Sequence, residues 1–183
     1  MWQVSELELF VSALQAGEVV AAPAEGVYGY CADPFNPAAL ARLLELKKRD
    51  ANKGFILLVP DAAALARVCA PLDTASAQAV ETYWQPEQPP TTLLLPPRPE
   101  LPPFLRGTFP TIAVRMPHVA YVQNYLQAWG GPLVSTSLNV SGAAPAITAA
   151  EVPSGIVTLT LPEALSGRAS RIFDPVTGRW IRH

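Results

Sequence analysis

The run Asn36-Pro37-Ala38-Ala39-Leu40-Ala41-Arg42-Leu43-Leu44-Glu45-Leu46-Lys47-Lys48-Arg49, followed after a short polar link by Phe55-Ile56-Leu57-Leu58-Val59, reads as a helix feeding a buried strand. Asn36 supplies an N-cap oxygen and Pro37 suits the first helical turn, where a missing N–H costs nothing. Leu40, Leu43, Leu44 and Leu46 form the apolar face, and the helix ends in a basic cluster. The same alternation extends in both directions. Glu6 to Ala16 is helical in spacing and stops at Gly17, and Val19 to Ala22 reads as a buried strand. Asp61 caps a short helix through Cys69, Thr74 to Tyr83 is a helix, and Thr111 to Arg115 is a strand. His118 to Trp129 is a helix stopped by Gly130-Gly131, and Leu133 to Ser135 is a strand running into polar residues. Ser170 to Phe173 and Arg179 to Arg182 flank a hairpin turn at Asp174 to Gly178. Alternating elements predict an α/β layered domain with a largely buried sheet.

The segment from Trp84 to Pro103 holds eight of the twenty prolines and reads either as an interdomain linker or as a strand bounded by prolines. Thr91-Thr92-Leu93-Leu94-Leu95 favours the strand, because prolines outside it leave its ladder donors intact. A division here would also separate two polar clusters that look built to meet, so residues 1–183 are expected to form one domain.

Composition narrows the classes. Of 183 residues, 50% are hydrophobic and 15% charged, which excludes a disordered chain. The longest apolar runs fall short of the ~18 residues that cross a bilayer, so no membrane association is expected. The first residues lack a basic region followed by an apolar stretch, which predicts a cytoplasmic location. Cys31 and Cys69 are isolated and the histidines are His118 and His183, so neither a disulfide framework nor a protein-bound metal is expected. With a net charge of −2, any attraction to nucleic acid would come from a local basic patch.

Lys47-Lys48-Arg49 with Lys53-Gly54 reads in two ways. It is either a solvated helix end favoured by the helix dipole, or a phosphate-binding group in which an Arg fork and a Lys charge converge once the chain turns at residues 50–52. Lys48 is the member expected in solvent. Ser135-Thr136-Ser137-Leu138-Asn139-Val140-Ser141-Gly142 is either a strand end satisfying its own backbone or the polar loop of a ligand crevice with anion-binding N–H groups. Taken together, the two clusters predict a nucleotide phosphate site.

These residues also carry a family resemblance. Pro23-Ala24-Glu25-Gly26-Val27-Tyr28-Gly29, Lys47-x-Arg49 with Lys53, Ile112-Ala113-Val114-Arg115, the serine cluster, Ser170-Arg171-Ile172-Phe173-Asp174 and Thr177-Gly178-x-x-x-Arg182 resemble, in order and spacing, the YrdC/TsaC family of threonylcarbamoyl-AMP synthases. The resemblance implies a twisted mixed sheet with helices packed around it and a concave basic groove. It implies a nucleotidyltransferase that condenses L-threonine, bicarbonate or CO2 and ATP into threonylcarbamoyl-AMP and pyrophosphate, for N6-threonylcarbamoyladenosine at position 37 of tRNA. Lys47 and Arg49 would be catalytic. ATP would be held by these two with Thr92, Ser137, Asn139, Ser141 and Arg182, and threonine by Ala24, Arg115, Ser135 and Ser170. Mg2+ would arrive with the phosphates, and the partners would be downstream transfer proteins and, through the basic groove, tRNA.

Three positions depart from the family pattern. Ala24 stands where P-T-E has a threonine, Leu138 where S-A-N has an alanine, and Glu87-Gln88-Pro89-Pro90-Thr91-Thr92 replaces the segment W-P-G-P-x-T, leaving Trp84 displaced. Two other functions are therefore carried alongside: a related carbamate-adenylating enzyme using another amino acid, and a noncatalytic RNA-binding protein of the same fold.

Overall fold

A computed structural model describes residues 2–48, 53–139 and 144–183 of the chain. Eight strands form one mixed sheet: β1 (Val20–Pro23), β2 (Tyr28–Ala32), β3 (Ile56–Leu58), β4 (Thr91–Leu95), β5 (Ile112–Arg115), β6 (Leu133–Ser137), β7 (Arg171–Asp174) and β8 (Arg179–Arg182). Their order across the sheet is β1-β2-β6-β3-β5-β4-β7-β8. Two neighbouring pairs are parallel, β3 with β5 and β4 with β7, and the others antiparallel. Five helices pack on the sheet: α1 (Val4–Gln15), α2 (Pro37–Lys47), α3 (Ala62–Val68), α4 (Thr74–Tyr83) and α5 (Ala120–Trp129). No helix among the described residues is long and apolar enough to cross a membrane.

Strand periodicity divides the core in two. Leu57 and Val59 face one cluster while Leu58 faces the other, and Tyr30, Cys31 and Ala32 alternate in the same way. One face is covered by α2, α3 and α4 through residues such as Leu40, Leu43, Leu65, Val68 and Ala79. Among the described residues the opposite face carries the two helices α1 and α5, whose Phe10, Leu14, Tyr125 and Leu126 pack over β1, β2, β6 and the adjoining part of β3. Eight strands at ~4.8 Å spacing make a sheet about 34 Å wide, and two helices cover about 20 Å of it. The uncovered part lies over β3, β5, β4 and β7, and it becomes the floor of a cleft.

Local signals account for the elements. Asn36 Oδ1 accepts from the backbone N–H groups of Ala38 and Ala39 at 3.0 and 3.1 Å, with Pro37 at the first turn. Asp61 Oδ1 accepts from Ala64 N–H at 2.8 Å and Asp73 Oδ1 from Ser76 N–H at 2.7 Å, starting α3 and α4. The proline-rich segment is continuous with the sheet: β4 pairs on both sides, and Trp84 Nε1 donates to Thr91 O at its start.

β2 is the strand the sequence does not announce. All five of its residues are buried, so it has no polar alternation, and its Tyr-Gly-Tyr-Cys-Ala composition lacks a β-branched run. Gly29 is required there because a Cβ would stand 2.9 Å from Thr136 O on the neighbouring strand β6.

Both thiols are buried, and burial pushes Cys31 and Cys69 up to about 12. Folding therefore keeps them as neutral thiols at neutral pH, and alkylation at pH 8 is expected to be slow in native protein and fast in urea.

Helix α2 ends at Lys48, the one non-glycine residue with positive φ among the described residues (φ 44°, ψ 40°). Its left-handed turn carries a Cβ penalty of about 1–2 kcal/mol that glycine would not have. In urea melts, Lys48→Gly is expected to gain about 1 kcal/mol, and Asn36→Ala to lose about 1 kcal/mol through its cap.

Candidate active site

The two polar clusters meet through Lys47. At the end of α2 this side chain is only 5% exposed, and its ammonium donates to the main-chain carbonyls of Ser137 and Asn139. The left-handed turn at Lys48 ends the helix, with Lys47 directed inward and Lys48 exposed. Leu138 between the two acceptors packs partly into the core, so its bulk relative to alanine is absorbed by packing.

Above this junction lies a cleft of about 340 Å3 on the uncovered part of the sheet. Ile56, Ala113 and Leu94 give it an apolar floor, Ser135, Thr136 and Ser137 one wall, and Lys53, Arg106, Arg115 and Arg182 its cations. No carboxylate lines it among the described residues. Lys53 and Arg106 adjoin because the turn at Gly54 (φ 60°) packs on residues 105–106, where a Cβ would stand 2.8 Å from Arg106 O.

Arg115 ends β5, and its side chain is 7% exposed. Its Nε lies 2.9 Å from Oε2 of Glu25, which is equally buried. The two atoms are outside hydrogen-bond alignment, so the contact is held by charge attraction. Arg182 is fixed differently: Nε donates to Ser170 O at 2.7 Å and Nη2 to Ser170 Oγ at 3.2 Å. Burial, and then the like charge of Arg115, lower its pKa. Two guanidiniums that repel one another across Ser170 define a place where an anion is favoured.

Ser170 arrives there on a strap of chain. Residues 157–159 bond to Ala21 at the β1 edge, Gly167 N–H donates to Gly26 O at 2.8 Å, and Arg171 N–H donates to Pro90 O. Gly26 has to be glycine, since a Cβ would sit 1.8 Å from Arg168 O.

The structure therefore brings Arg115, Ser135, Ser137, Ser170 and Arg182 to one cleft, with Lys47 and Asn139 in the segment joined to its wall. Two expected positions fall differently. Thr92, expected on the nucleotide, is completely buried, and its hydroxyl lies 2.9 Å from that of Ser170, which it supports from beneath the cleft. Ala24, expected at threonine, is buried outside the lining, and its carbonyl accepts from Tyr121 Oη at 3.0 Å. Arg49 and Ser141 lie outside the described residues. The altered proline segment borders a second cavity of about 290 Å3, which Glu25 also lines. Arg106 and Phe109, which line the cleft, were not legible as site residues, because a lone Arg and a lone Phe in a loop carry no spacing signal.

Comparison with known proteins agrees with this geometry. The model of the Sua5/yciO/yrdC family, described as "Telomere recombination", matches residues 12–180. A threonylcarbamoyl-AMP synthase of Methylococcus capsulatus is 38% identical over 182 residues, covering 96% of each chain. One from Chromohalobacter salexigens is 39% identical over 176 residues, covering 94% of each. The crystal structure of P. abyssi Sua5 complexed with L-threonine superposes with a TM-score of 0.82 at 26% identity, covering 94% of this chain and 52% of that one. The present chain thus spans about half the length of that Sua5. E. coli YciO shares the fold, with a TM-score of 0.79 at 20% identity. A family match over almost the whole chain, joined to a basic cleft built from the matching motifs, means that the chain belongs to the Sua5/yciO/yrdC family.

Proposed function

We propose that this protein is a threonylcarbamoyl-AMP synthase, acting on L-threonine, bicarbonate or CO2, and ATP in the formation of N6-threonylcarbamoyladenosine in tRNA. The observation that carries the reading is a single cleft in which Arg115, Arg182 and Ser170 adjoin the hydroxyl wall Ser135 to Ser137, while Lys47 grips the segment leading out of that wall. The names of the full-length relatives support it.

The chemistry asks for what these residues offer. The threonine ammonium gives one proton to solvent, its nitrogen bonds the carbon of CO2 as one C=O bond opens onto oxygen, and a second proton leaves to solvent, giving the N-carboxylate R–NH–COO−. An oxygen of that carboxylate then attacks the α-phosphorus of ATP, and the bond to the β-phosphate oxygen breaks as pyrophosphate leaves. Two anions must be held together, so their repulsion has to be offset by fixed cations before orientation can act. Arg115 takes the threonine carboxylate through its guanidinium fork. Arg182, restrained by both ends of Ser170, faces the forming carbamate and the α-phosphate. Lys47 contributes a buried positive charge beneath Ser137 and Asn139, which stabilises phosphoryl oxygens lying over that segment. Arg49 and Ser141 keep the nucleotide roles that the motif resemblance gives them.

The cleft donors are hydroxyls and cations, and among the described residues no group of three His, Cys, Asp or Glu side chains is placed to hold a metal. A magnesium ion would therefore be carried by the phosphates and water, with the hydroxyl oxygens of the cleft as its available side-chain ligands. Bound in that way, the ion would neutralise charge on the leaving pyrophosphate. The reading further assigns the protein to the cytoplasm, with its adenylate passed to a transfer protein that acts on tRNA.

Ala24, together with the altered proline segment, favours a second reading, since a methyl group stands next to Glu25 where the family pattern has a hydroxyl, and another amino acid would then be the substrate. Pyrophosphate release from ATP, magnesium and bicarbonate, followed with mass detection of the adenylate, separates the two. Release that needs both threonine and bicarbonate is expected. Release with a different amino acid and none with threonine would overturn the threonine assignment.

Variants at the α2 terminus test the phosphate side. Lys47→Met keeps the apolar stem but loses the charge, and turnover is expected to fall at least about tenfold. Two carbonyls also lose their donor, so the melt should shift by about 1–3 kcal/mol. Lys48→Ala, at an exposed position, is expected to leave turnover within about twofold. Equal small effects at both positions would contradict the role given to Lys47.

A further inference from the structure

The guanidinium of Arg115 is addressed from behind. Its Nε is ion-paired with Glu25 Oε2 at 2.9 Å without hydrogen-bond alignment, while its two Nη groups donate to no protein group among the described residues, and the residue lines the cleft. Glu25 is set in turn by its own backbone. Tyr121, on α5, directs its hydroxyl at the carbonyls of Ala24 (3.0 Å) and Glu25 (3.4 Å), and Tyr125, one turn further along, reaches the carbonyl of Pro23 at 3.4 Å. Residues four apart share one helix face, so two phenols hold three consecutive carbonyls. The helix is itself anchored by Trp2 Nε1, which donates to Tyr121 O at 3.0 Å. The turn is also closed by Ala24 N–H on Val27 O at 2.9 Å. Burial foremost, then the nearby Glu25 charge, pushes the Tyr121 phenol up to about 12, so it stays protonated and able to donate.

We propose that Tyr121 and Glu25 are positioning residues for the amino-acid carboxylate: Tyr121 fixes the turn, the turn fixes the Glu25 carboxylate, and that carboxylate holds Arg115 with both Nη groups presented to the cleft. The inference rests on the threonine reading above and deepens it. An Arg side chain has many rotamers to give up on binding, and a preset guanidinium has already lost them before the substrate arrives. Glu25 also gives the buried guanidinium a counter-charge before substrate binds, without occupying the donors that recognise a carboxylate. Ala24 has no hydroxyl to contribute, so the turn is held through its main chain by the helix behind it.

The test uses the full chain and measures kcat and KM for threonine and for ATP separately in Tyr121→Phe, Glu25→Gln and the double variant, with thermal melts beside them. Both substitutions keep the shape of the side chain. Tyr121→Phe should raise the threonine KM about fivefold and Glu25→Gln about tenfold, with kcat at saturating threonine and the ATP KM within about twofold of wild type. The double variant should resemble Glu25→Gln alone, because the two residues act through one guanidinium. A purely structural role would instead lower the melting temperature and raise both KM values together, and that outcome would overturn the inference. An unchanged threonine KM in folded Glu25→Gln would do the same, even if Tyr121→Phe did not fold. Wild-type protein without threonine-dependent pyrophosphate release would overturn the substrate assignment and this inference with it.

Discussion

The site depends on one buried ammonium. Lys47 emerges at the last turn of α2, and its charge meets the carbonyls of Ser137 and Asn139 at the end of β6, ninety residues later in the chain. A lysine that is 5% exposed is stable only with such partners, so the contact fixes where the helix ends and the course of the chain from Ser137 to Asn139. The left-handed conformation of Lys48 follows from the same requirement: the helix has to stop there for Lys47 to be directed inward. A local strain of order 1 kcal/mol at Lys48 is offset by joining the two halves of the site.

The architecture explains why the cleft is open and why it is basic. An eight-stranded sheet with three helices on one face and two on the other leaves part of its floor without a helical cover. Strand alternation then decides what faces that space. Ser135 and Ser137 on β6, Ala113 and Arg115 on β5 and Leu94 on β4 share one side, while their neighbours Val134, Val114, Leu93 and Leu95 are committed to the core. The strap through residues 157–170 brings Ser170 over the wholly buried Thr92, and the C-terminal hairpin returns Arg182 to Ser170. Cations thus come from the ends of separate elements, and the repulsion between Arg115 and Arg182 favours an anion near them.

Much of this was legible in the sequence because it rests on local chemistry. The Asn36-Pro37 start, the Asp61 cap, the proline-bounded strand Thr91–Leu95 and the 174–178 turn each state their conformation within a few residues. β2 was not legible, since a strand buried on both faces and built of Tyr, Gly, Cys and Ala loses the alternation by which strands are read. At the site, the motif residues could be named, but not what stands behind them. Thr92 has the right residue type but its hydroxyl meets that of Ser170, and Ala24, expected at threonine, lies outside the lining with its carbonyl on Tyr121 Oη. The Glu25 contact with Arg115 and the Tyr121 clamp join residues ninety or more positions apart, which no spacing rule reports. The proline segment, distant in sequence, shares a cavity with Glu25, the neighbour of the other departure at Ala24.

The most direct test of a single cleft serving both amino acid and nucleotide is a crystal structure with L-threonine and a non-hydrolysable ATP analogue bound together. The account predicts the threonine carboxylate on the Nη groups of Arg115 with Glu25 still against Nε, and the triphosphate over the segment from Ser137 to Asn139. Threonine seated away from Arg115, or a triphosphate that does not approach the Lys47-held segment, would contradict it.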